Sequence, residues 1–112
     1  MIKKIMKSIR NRFFRSMDEY DITLSELMQK QSNGAVIIDV RNNREFKENH
    51  IKGSINIPEY EMSSFLEKKV KNKNTEIVMY CTSGWRSKNA CKRAKKLGYN
   101  RVLNLYGGLE RY

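Results

Sequence analysis

A cysteine, a glycine and an arginine lie close together in residues 81–87, the segment of this chain best equipped for chemistry. The segment has the sequence CTSGWRS, follows an apolar run and precedes a predicted helix that begins at about Ser87. Backbone N–H groups of a tight loop and the positive end of the helix dipole would surround the Cys81 sulfur. Arg86 adds a full positive charge, and Gly84 permits a turn that a side chain would obstruct. These features favour a thiolate, the nucleophilic form of cysteine.

The remaining side chains of this loop extend the prediction. Ser83 and Ser87 can donate hydroxyl hydrogen bonds to the sulfur. Trp85 is expected to project from the loop rim, where it either forms a docking surface or shields the sulfur. The alternative role for Cys81 is that of a small buried hydrophobe at a strand end. The glycine, the arginine and the helix start favour the chemical role.

The second cysteine, Cys91, is predicted to pack rather than react. It lies on the apolar side of a predicted helix, beside Ala90 and Ala94. Ten residues separate it from Cys81, so the pair is not a C-x-x-C redox motif. Two cysteines also cannot build a disulfide framework or a four-thiolate metal site. The sequence therefore indicates one reactive thiol and one structural thiol.

Strands and helices are predicted to alternate after residue 18. Ligands of parallel α/β sheets bind beyond the carboxyl ends of the strands, and Asp39 and Cys81 stand at two such ends. The alternation itself predicts an α/β fold with a parallel sheet and right-handed crossovers. The predicted strands are 20–22, 35–40, 53–58, 77–81 and 101–105, and the later helices are 60–71 and 87–97.

The first helix of this region carries the clearest start signal. Thr23 and Glu26 are spaced as a capping box, in which each side chain bonds the other residue's backbone N–H. Leu24, Leu27 and Met28 are predicted to form the buried face of that helix.

The composition limits the class of protein. The chain has 112 residues and 31% charged residues, which suits one folded domain, and its longest apolar run is far too short for a membrane span. The net charge is +11, and residues 1–17 hold six basic residues and no acid, while residues 86–101 hold seven and no acid. Such a balance attracts anions, anionic lipid or nucleic acid over long range. Nucleic-acid binding is not predicted, because no recognisable module accompanies the charge.

Residues 1–17 form a basic extension with helical spacing of its apolar residues, which are Ile2, Ile5, Met6, Ile9, Phe13 and Met17. A basic amphipathic helix can lie on an anionic membrane surface or dock on a partner. A frayed tail, or a helix packed on its own domain, remains the alternative. No uninterrupted apolar segment of a secretory signal is present, so a cytoplasmic location with possible peripheral membrane contact is expected.

Three motifs then resemble those of rhodanese-like domains. The first comprises Asp39 to Arg41, Glu45-Phe46 and the run HIKGSINIP at residues 50–58; the second is the loop at 81–87; the third is Gly107-Gly108-Leu109 with a later aromatic, Tyr112. The resemblance covers residues 18–112, which it defines as the rhodanese-like domain. It implies a five-stranded parallel sheet flanked by helices on both faces.

The resemblance also implies a sulfurtransferase. Cys81 would attack the outer sulfur of an anionic donor such as thiosulfate, become a persulfide, and pass the sulfur to a thiol or protein acceptor. No metal or organic cofactor is implied. Asp39 and Arg41 would support the site, and the substrate-binding loop would comprise Thr82, Ser83, Gly84, Trp85, Arg86 and Ser87.

Loop length argues against phosphate ester hydrolysis, and the presence of Cys81 argues against an inactive binding module. Cys81 through Arg86 spans six residues, whereas phosphatases related to this fold have a C-x5-R loop one residue longer, so sulfur transfer is favoured. The second hypothesis is a sulfur-carrier or regulatory rhodanese-like module with little thiosulfate turnover. Its docking surface would be Trp85 and the basic helix.

Four further residues of the motifs have structural expectations. Asp39 is expected to hydrogen-bond loop backbone, since its carboxylate would repel a thiolate. Arg41 and Glu45 are four residues apart and are expected to pair. His50, the sole histidine, is expected to stabilise the loop before the third strand rather than act as a base.

Overall fold

Within residues 17–112, which the computed structural model describes, five short strands form one sheet. All neighbouring strands are parallel, as the sequence predicts. Their spatial order is β1-β5-β4-β2-β3, so the loop that follows β4 opens at the middle of the carboxyl edge. The strands are β1 (Asp21–Ile22), β2 (Val36–Asp39), β3 (Ile55–Asn56), β4 (Ile77–Tyr80) and β5 (Val102–Leu105).

Four α-helices connect these strands in the described part of the chain. The sequence predicts three of them, but it does not predict the second, which is only six residues long. The last begins two residues earlier than predicted, so Trp85 and Arg86 belong to its first turn. The helices are α1 (Leu24–Ser32), α2 (Asn43–Glu48), α3 (Met62–Lys69) and α4 (Trp85–Lys96), with 3₁₀ turns at Glu59–Glu61 and Leu109–Arg111.

Capping boxes begin α1 and α2. The Glu26 backbone N–H donates to Thr23 Oγ1 at 3.2 Å and the Thr23 N–H donates to Glu26 Oε1 at 3.0 Å, which confirms the predicted cap. Asn42 and Glu45 form the same pair of bonds at the start of α2. Helix α2 therefore owes its start to local polar bonds rather than to an apolar stripe, for none of its residues is buried.

The core lies on both faces of the sheet, because alternate residues of each strand point to opposite sides. Ile38 and Met79 pack on one side with residues of α3 and α4, including Leu66. Ile37 and Val78 pack on the other side with residues of α1. The implied architecture of a parallel sheet with helices on both faces is confirmed.

The predicted buried face of α1 is partly wrong. Leu27 is fully buried and Leu24 is half-buried, but Met28 is 58% exposed. This nine-residue helix meets the sheet through a narrow strip centred on Leu27, so the neighbouring residue turns to solvent.

The amphipathic helix predicted for residues 1–17 lies outside the described residues, apart from the exposed Met17. Among residues 17–112, no helix is both long enough and apolar enough to cross a bilayer.

Candidate active site

Cys81 stands at the first position after β4, with β2 and β5 on either side of that strand. Its side chain is fully buried. Asp39, the last residue of β2, is in register with Tyr80 of β4. The structure thus brings the two sequence-predicted strand ends to the same edge of the sheet.

Three hydrogen-bonding groups converge on the Cys81 sulfur. The Gly84 N–H donates to Sγ at 3.0 Å and the Ser87 N–H donates to it at 3.4 Å. Ser87 Oγ lies 3.3 Å from Sγ and 3.2 Å from the Gly84 carbonyl oxygen, so its single hydrogen can turn to either one. These donors sit at the amino terminus of α4, where they would stabilise negative charge on sulfur.

Gly84 makes this geometry possible. It is the N-cap of α4 and has a φ of +100°, a left-handed conformation that side chains disfavour. The turn aims its own N–H back at the sulfur. Ser83 contributes no hydroxyl bond to Sγ, so of the two serines named from the sequence only Ser87 meets the thiol.

Arg86 makes no hydrogen bond to the sulfur, although its charge and that of Cys81 interact. Its guanidinium forms two hydrogen bonds with the Glu45 carboxylate, at 2.8 and 3.1 Å, and a third at 3.4 Å with Thr82 Oγ1. The bond from Arg86 lowers the pKa of Glu45 to about 2, so this carboxylate is charged at neutral pH. Sequence reasoning missed Glu45 as part of the site, and it offsets the charge of the loop arginine.

Arg41 pairs with Asp39 instead of the predicted Glu45. The Arg41 Nη2 lies 2.8 Å from Asp39 Oδ2, with both side chains buried, and it also donates to the Asn49 carbonyl at 2.5 Å. Asp39 Oδ1 accepts the Arg41 backbone N–H at 2.8 Å, in line with its expected bond to loop backbone. The buried pair holds the segment that carries Glu45 against the sheet.

The residues that follow β5 hydrogen-bond to the backbone of the cysteine loop. The N–H groups of Leu109 and Glu110 donate to the carbonyls of Cys81 and Thr82, at 2.9 and 3.0 Å. A Cβ on Gly108 would lie 2.3 Å from the Thr82 carbonyl oxygen and 2.6 Å from that of Cys81. Gly108 is thus needed for the close approach of the two backbone segments.

The other residues singled out from the sequence lie apart from this chemistry. His50 is exposed, stacks on Phe46 at 3.8 Å and bonds its carbonyl through Nδ1, so it secures the turn before β3. Cys91 is buried among apolar residues, and burial raises the pKa of its thiol to about 12. Trp85 is 49% exposed at the start of α4. Among residues 17–112 no cluster of His, Cys, Asp and Glu could hold a metal ion.

Comparison with known proteins agrees with this architecture. The sequence profile of the rhodanese-like domain family matches residues 23–112, and the chain belongs to that family. The resemblance carried by the three motifs is therefore confirmed.

Particular relatives are of two kinds. The human single-domain sulfurtransferase TSTD1 is similar at 27% identity and a TM-score of 0.71, over 81% of this chain and 92% of that one. A rhodanese with anions from E. coli is 32% identical, with a TM-score of 0.64, over 70% and 92% of the two chains. The tRNA uridine(34) hydroxylase of Enterobacter sp. (strain 638) is 35% identical over 82 residues, 70% of this chain and 24% of that protein. The chain thus spans about a quarter of the length of such curated relatives.

Proposed function

We propose that this protein is a sulfurtransferase that moves a sulfane sulfur from thiosulfate, or a related anionic donor, to a thiophilic acceptor through a persulfide on Cys81. The observation that carries the proposal is the convergence of the Gly84 N–H, the Ser87 N–H and the Ser87 hydroxyl on one sulfur. Such donors stabilise both a thiolate and the anion that a persulfide forms. Membership of a family with similar single-domain sulfurtransferases supports this chemistry.

In the first half of the reaction, the Cys81 thiolate attacks the outer sulfur of thiosulfate. A bond forms between the two sulfurs, the sulfur–sulfur bond of thiosulfate breaks, and its electron pair leaves with sulfite. In the second half, a thiophilic acceptor takes the outer sulfur and Cys81 is restored as a thiolate. No metal or organic cofactor enters either step.

The other residues of the site bind the donor or support the loop. Thr82, Ser83, Gly84, Trp85, Arg86 and Ser87 surround the donor, and Ser87 turns its hydroxyl hydrogen to whichever sulfur carries charge. Asp39 and Arg41 support the loop from the neighbouring strand without touching the donor. Glu45 acts through Arg86, whose charge it offsets.

The second candidate is a sulfur-carrier or regulatory module with little thiosulfate turnover. The pairing of Arg86 with Glu45 favours it, because the loop cation that would attract a dianionic donor is already neutralised. Such a module would load its sulfur from a partner's persulfide instead.

Turnover measurements separate these functions. The native protein, with thiosulfate as donor and cyanide as acceptor, is expected to form thiocyanate. The Cys81→Ser variant is expected to form none, while Cys91→Ser retains the activity. Poor turnover with thiosulfate, together with normal loading from a low-molecular-weight persulfide, would favour the carrier. Turnover by Cys81→Ser would contradict both.

Two organisational proposals accompany the function. Residues 18–112 form the rhodanese-like domain, and residues 1–17 form a separate basic extension that reaches an anionic membrane surface. A cytoplasmic location, where both thiols would stay reduced, suits a persulfide chemistry.

A further inference from the structure

A basic face on α4 is left unused by the chemistry above. Helix α4 holds six Lys and Arg residues and no acid. Arg86 and Lys88 are paired with carboxylates. Lys92, Arg93 and Lys96 are exposed, and none of them makes an ion pair with any residue from 17 to 112. We call these three residues the basic face.

The basic face continues a row of like charges along α4. Lys88, Lys92 and Lys96 follow one another at intervals of four residues, and like charges at that spacing repel. Helix α2 instead carries opposite charges at that spacing, in the pair of Arg44 with Glu48. Arg93 and Lys96 lie in the last turn, where the helix dipole favours positive charge, but Lys92 lies before it. A negatively charged partner would offset the repulsion that remains.

The basic face leads to the loop. Positions 85, 89, 92 and 96 share one side of a helix, so Trp85 stands at the loop end of this side. The distance from Trp85 to Lys96 along the axis is roughly 17 Å, much longer than a small sulfur donor. Exposed Trp and Arg side chains, here Trp85 and Arg93, are enriched in protein-binding surfaces. Because Cys81 is fully buried, the reacting atom of a partner must arrive on a narrow extension.

We propose that the basic face and Trp85 dock a protein acceptor that carries its reactive cysteine on a protruding acidic segment. This inference rests on the proposed sulfurtransferase function and names its acceptor class. The acceptor thiolate attacks the outer sulfur of the Cys81 persulfide and forms a new sulfur–sulfur bond. The bond from that sulfur to Cys81 breaks and its electron pair restores the Cys81 thiolate. The proton stays on the outer sulfur, which becomes the end of the acceptor's persulfide.

A protein thiol fits this step better than a nucleic acid does. Thiolate attack on a persulfide needs no oxidant, reductant or activating reagent. Transfer of sulfur to a nucleobase would require a co-reactant to activate the base. Charge complementarity and the chemistry of the step therefore agree on an acidic protein segment.

The test uses the full-length persulfidated protein, freed of donor, and three cysteine peptides of equal length. One peptide is acidic, one has the acids replaced by amides, and one is basic. In single-turnover transfer at low salt, the acidic peptide is expected to react roughly tenfold faster than the amide peptide, with a smaller advantage at high salt. The Lys92→Glu/Arg93→Glu variant is expected to reverse the order. The carboxylate at position 92 can pair with Lys96 four residues later, which supports the helix.

The matched control is Lys69→Glu/Lys71→Glu, which changes the net charge equally on exposed positions at the end of α3 farthest from the loop. It is expected to keep the preference for the acidic peptide. Equal rates for the three peptides, or equal effects of the two variants, would overturn the proposal. So would transfer RNA binding that is lost in Lys92→Glu/Arg93→Glu while the peptides react alike. Failure to load sulfur from any donor would instead contradict the proposed function, and this proposal with it.

Discussion

At the scale of single residues, Glu45 joins two parts of the site. Its carboxylate completes the cap of α2 and holds the Arg86 guanidinium. Sequence spacing suggests Arg41 as its partner, but α2 begins at Asn43, so Arg41 precedes the helix and the four-residue rule does not apply. The actual partner lies 41 positions away in the sequence, a distance over which spacing carries no signal.

Replacing Glu45 with Gln tests this pairing, since Gln can complete the capping box but cannot hold an ion pair. The pKa of Glu45 falls from 4.5 to about 2 on folding, so its contribution to stability is complete above about pH 4.5 and is lost as the pH falls towards 2. We expect the free energy of unfolding to drop by at most about 1 kcal/mol at neutral pH, because water screens the partly exposed pair. Urea unfolding at several pH values should show the difference disappear near pH 2. A difference that stays constant with pH would contradict the pairing.

The same variant should change reactivity. Without the carboxylate, the charge of Arg86 is no longer offset, and loading of sulfur from thiosulfate is expected to quicken roughly two- to tenfold. Glu26→Gln is the matched control, because Glu26 holds the same position in the cap of α1 and contacts no arginine. A stopped-flow loading assay that shows slower loading for Glu45→Gln would contradict this account.

The two loop serines provide a second residue-scale prediction. Ser87→Ala removes a hydroxyl that lies 3.3 Å from the sulfur, whereas Ser83→Ala removes one that does not reach it. A hydrogen bond to a charged group contributes about 1.5–3 kcal/mol, so thiol alkylation by iodoacetamide is expected to slow roughly tenfold in Ser87→Ala only. Equal rates in the two variants would show that the hydroxyl has no part in stabilising the thiolate.

At the scale of elements, the loop is held by the segment that follows β5. Gly108 has a φ of +68°, and a Cβ there would overlap the Thr82 backbone. Gly34 has a φ of +98° but open space around it, so Gly34→Ala isolates the conformational strain, about 1–3 kcal/mol. Gly108→Ala is expected to lower stability further and to abolish sulfur loading, as thermal unfolding and intact mass would report. Equal stability and normal loading in both variants would contradict the close packing.

Elements could be predicted where their pattern is local. The apolar runs in the sequence predict the buried strands β2, β4 and β5. The capping box predicts α1. Helix α2 has a single large apolar residue, Phe46, and no buried stripe, so periodicity could not find it. Most of the cysteine loop could be predicted because its donors are its own neighbours in sequence, whereas Glu45 and Gly108 reach it only through the fold.

At the scale of the whole molecule, the first described residues are tied to α4. Lys88 pairs with Asp18 and Asp21, and the Lys95 ammonium lies 2.9 Å from the centre of the Tyr20 ring. These contacts hold the segment before β1 and the first residue of β1 against α4.

The net charge of +11 leads to a prediction for the extension. The full-length protein is expected to sediment with vesicles that contain phosphatidylserine, but not with vesicles of phosphatidylcholine alone. Lys3→Glu/Lys4→Glu should weaken this binding roughly tenfold or more, since each basic residue near an anionic surface contributes about 1 kcal/mol. Lys69→Glu/Lys71→Glu, with the same net charge, should bind as the native chain does. Equal losses of vesicle binding in the two variants would show that overall charge, and not the extension, causes the binding.

The central claim is that Cys81 carries a sulfane sulfur, and the intact mass of the reduced protein after incubation with donor tests it most directly. The native chain and Cys91→Ser are expected to gain the mass of one sulfur atom, and Cys81→Ser is expected to gain none. Reduction with dithiothreitol should remove the added sulfur. A gain in Cys81→Ser, or no gain in the native chain from thiosulfate or any persulfide donor while Cys81 remains open to alkylation, would contradict the account.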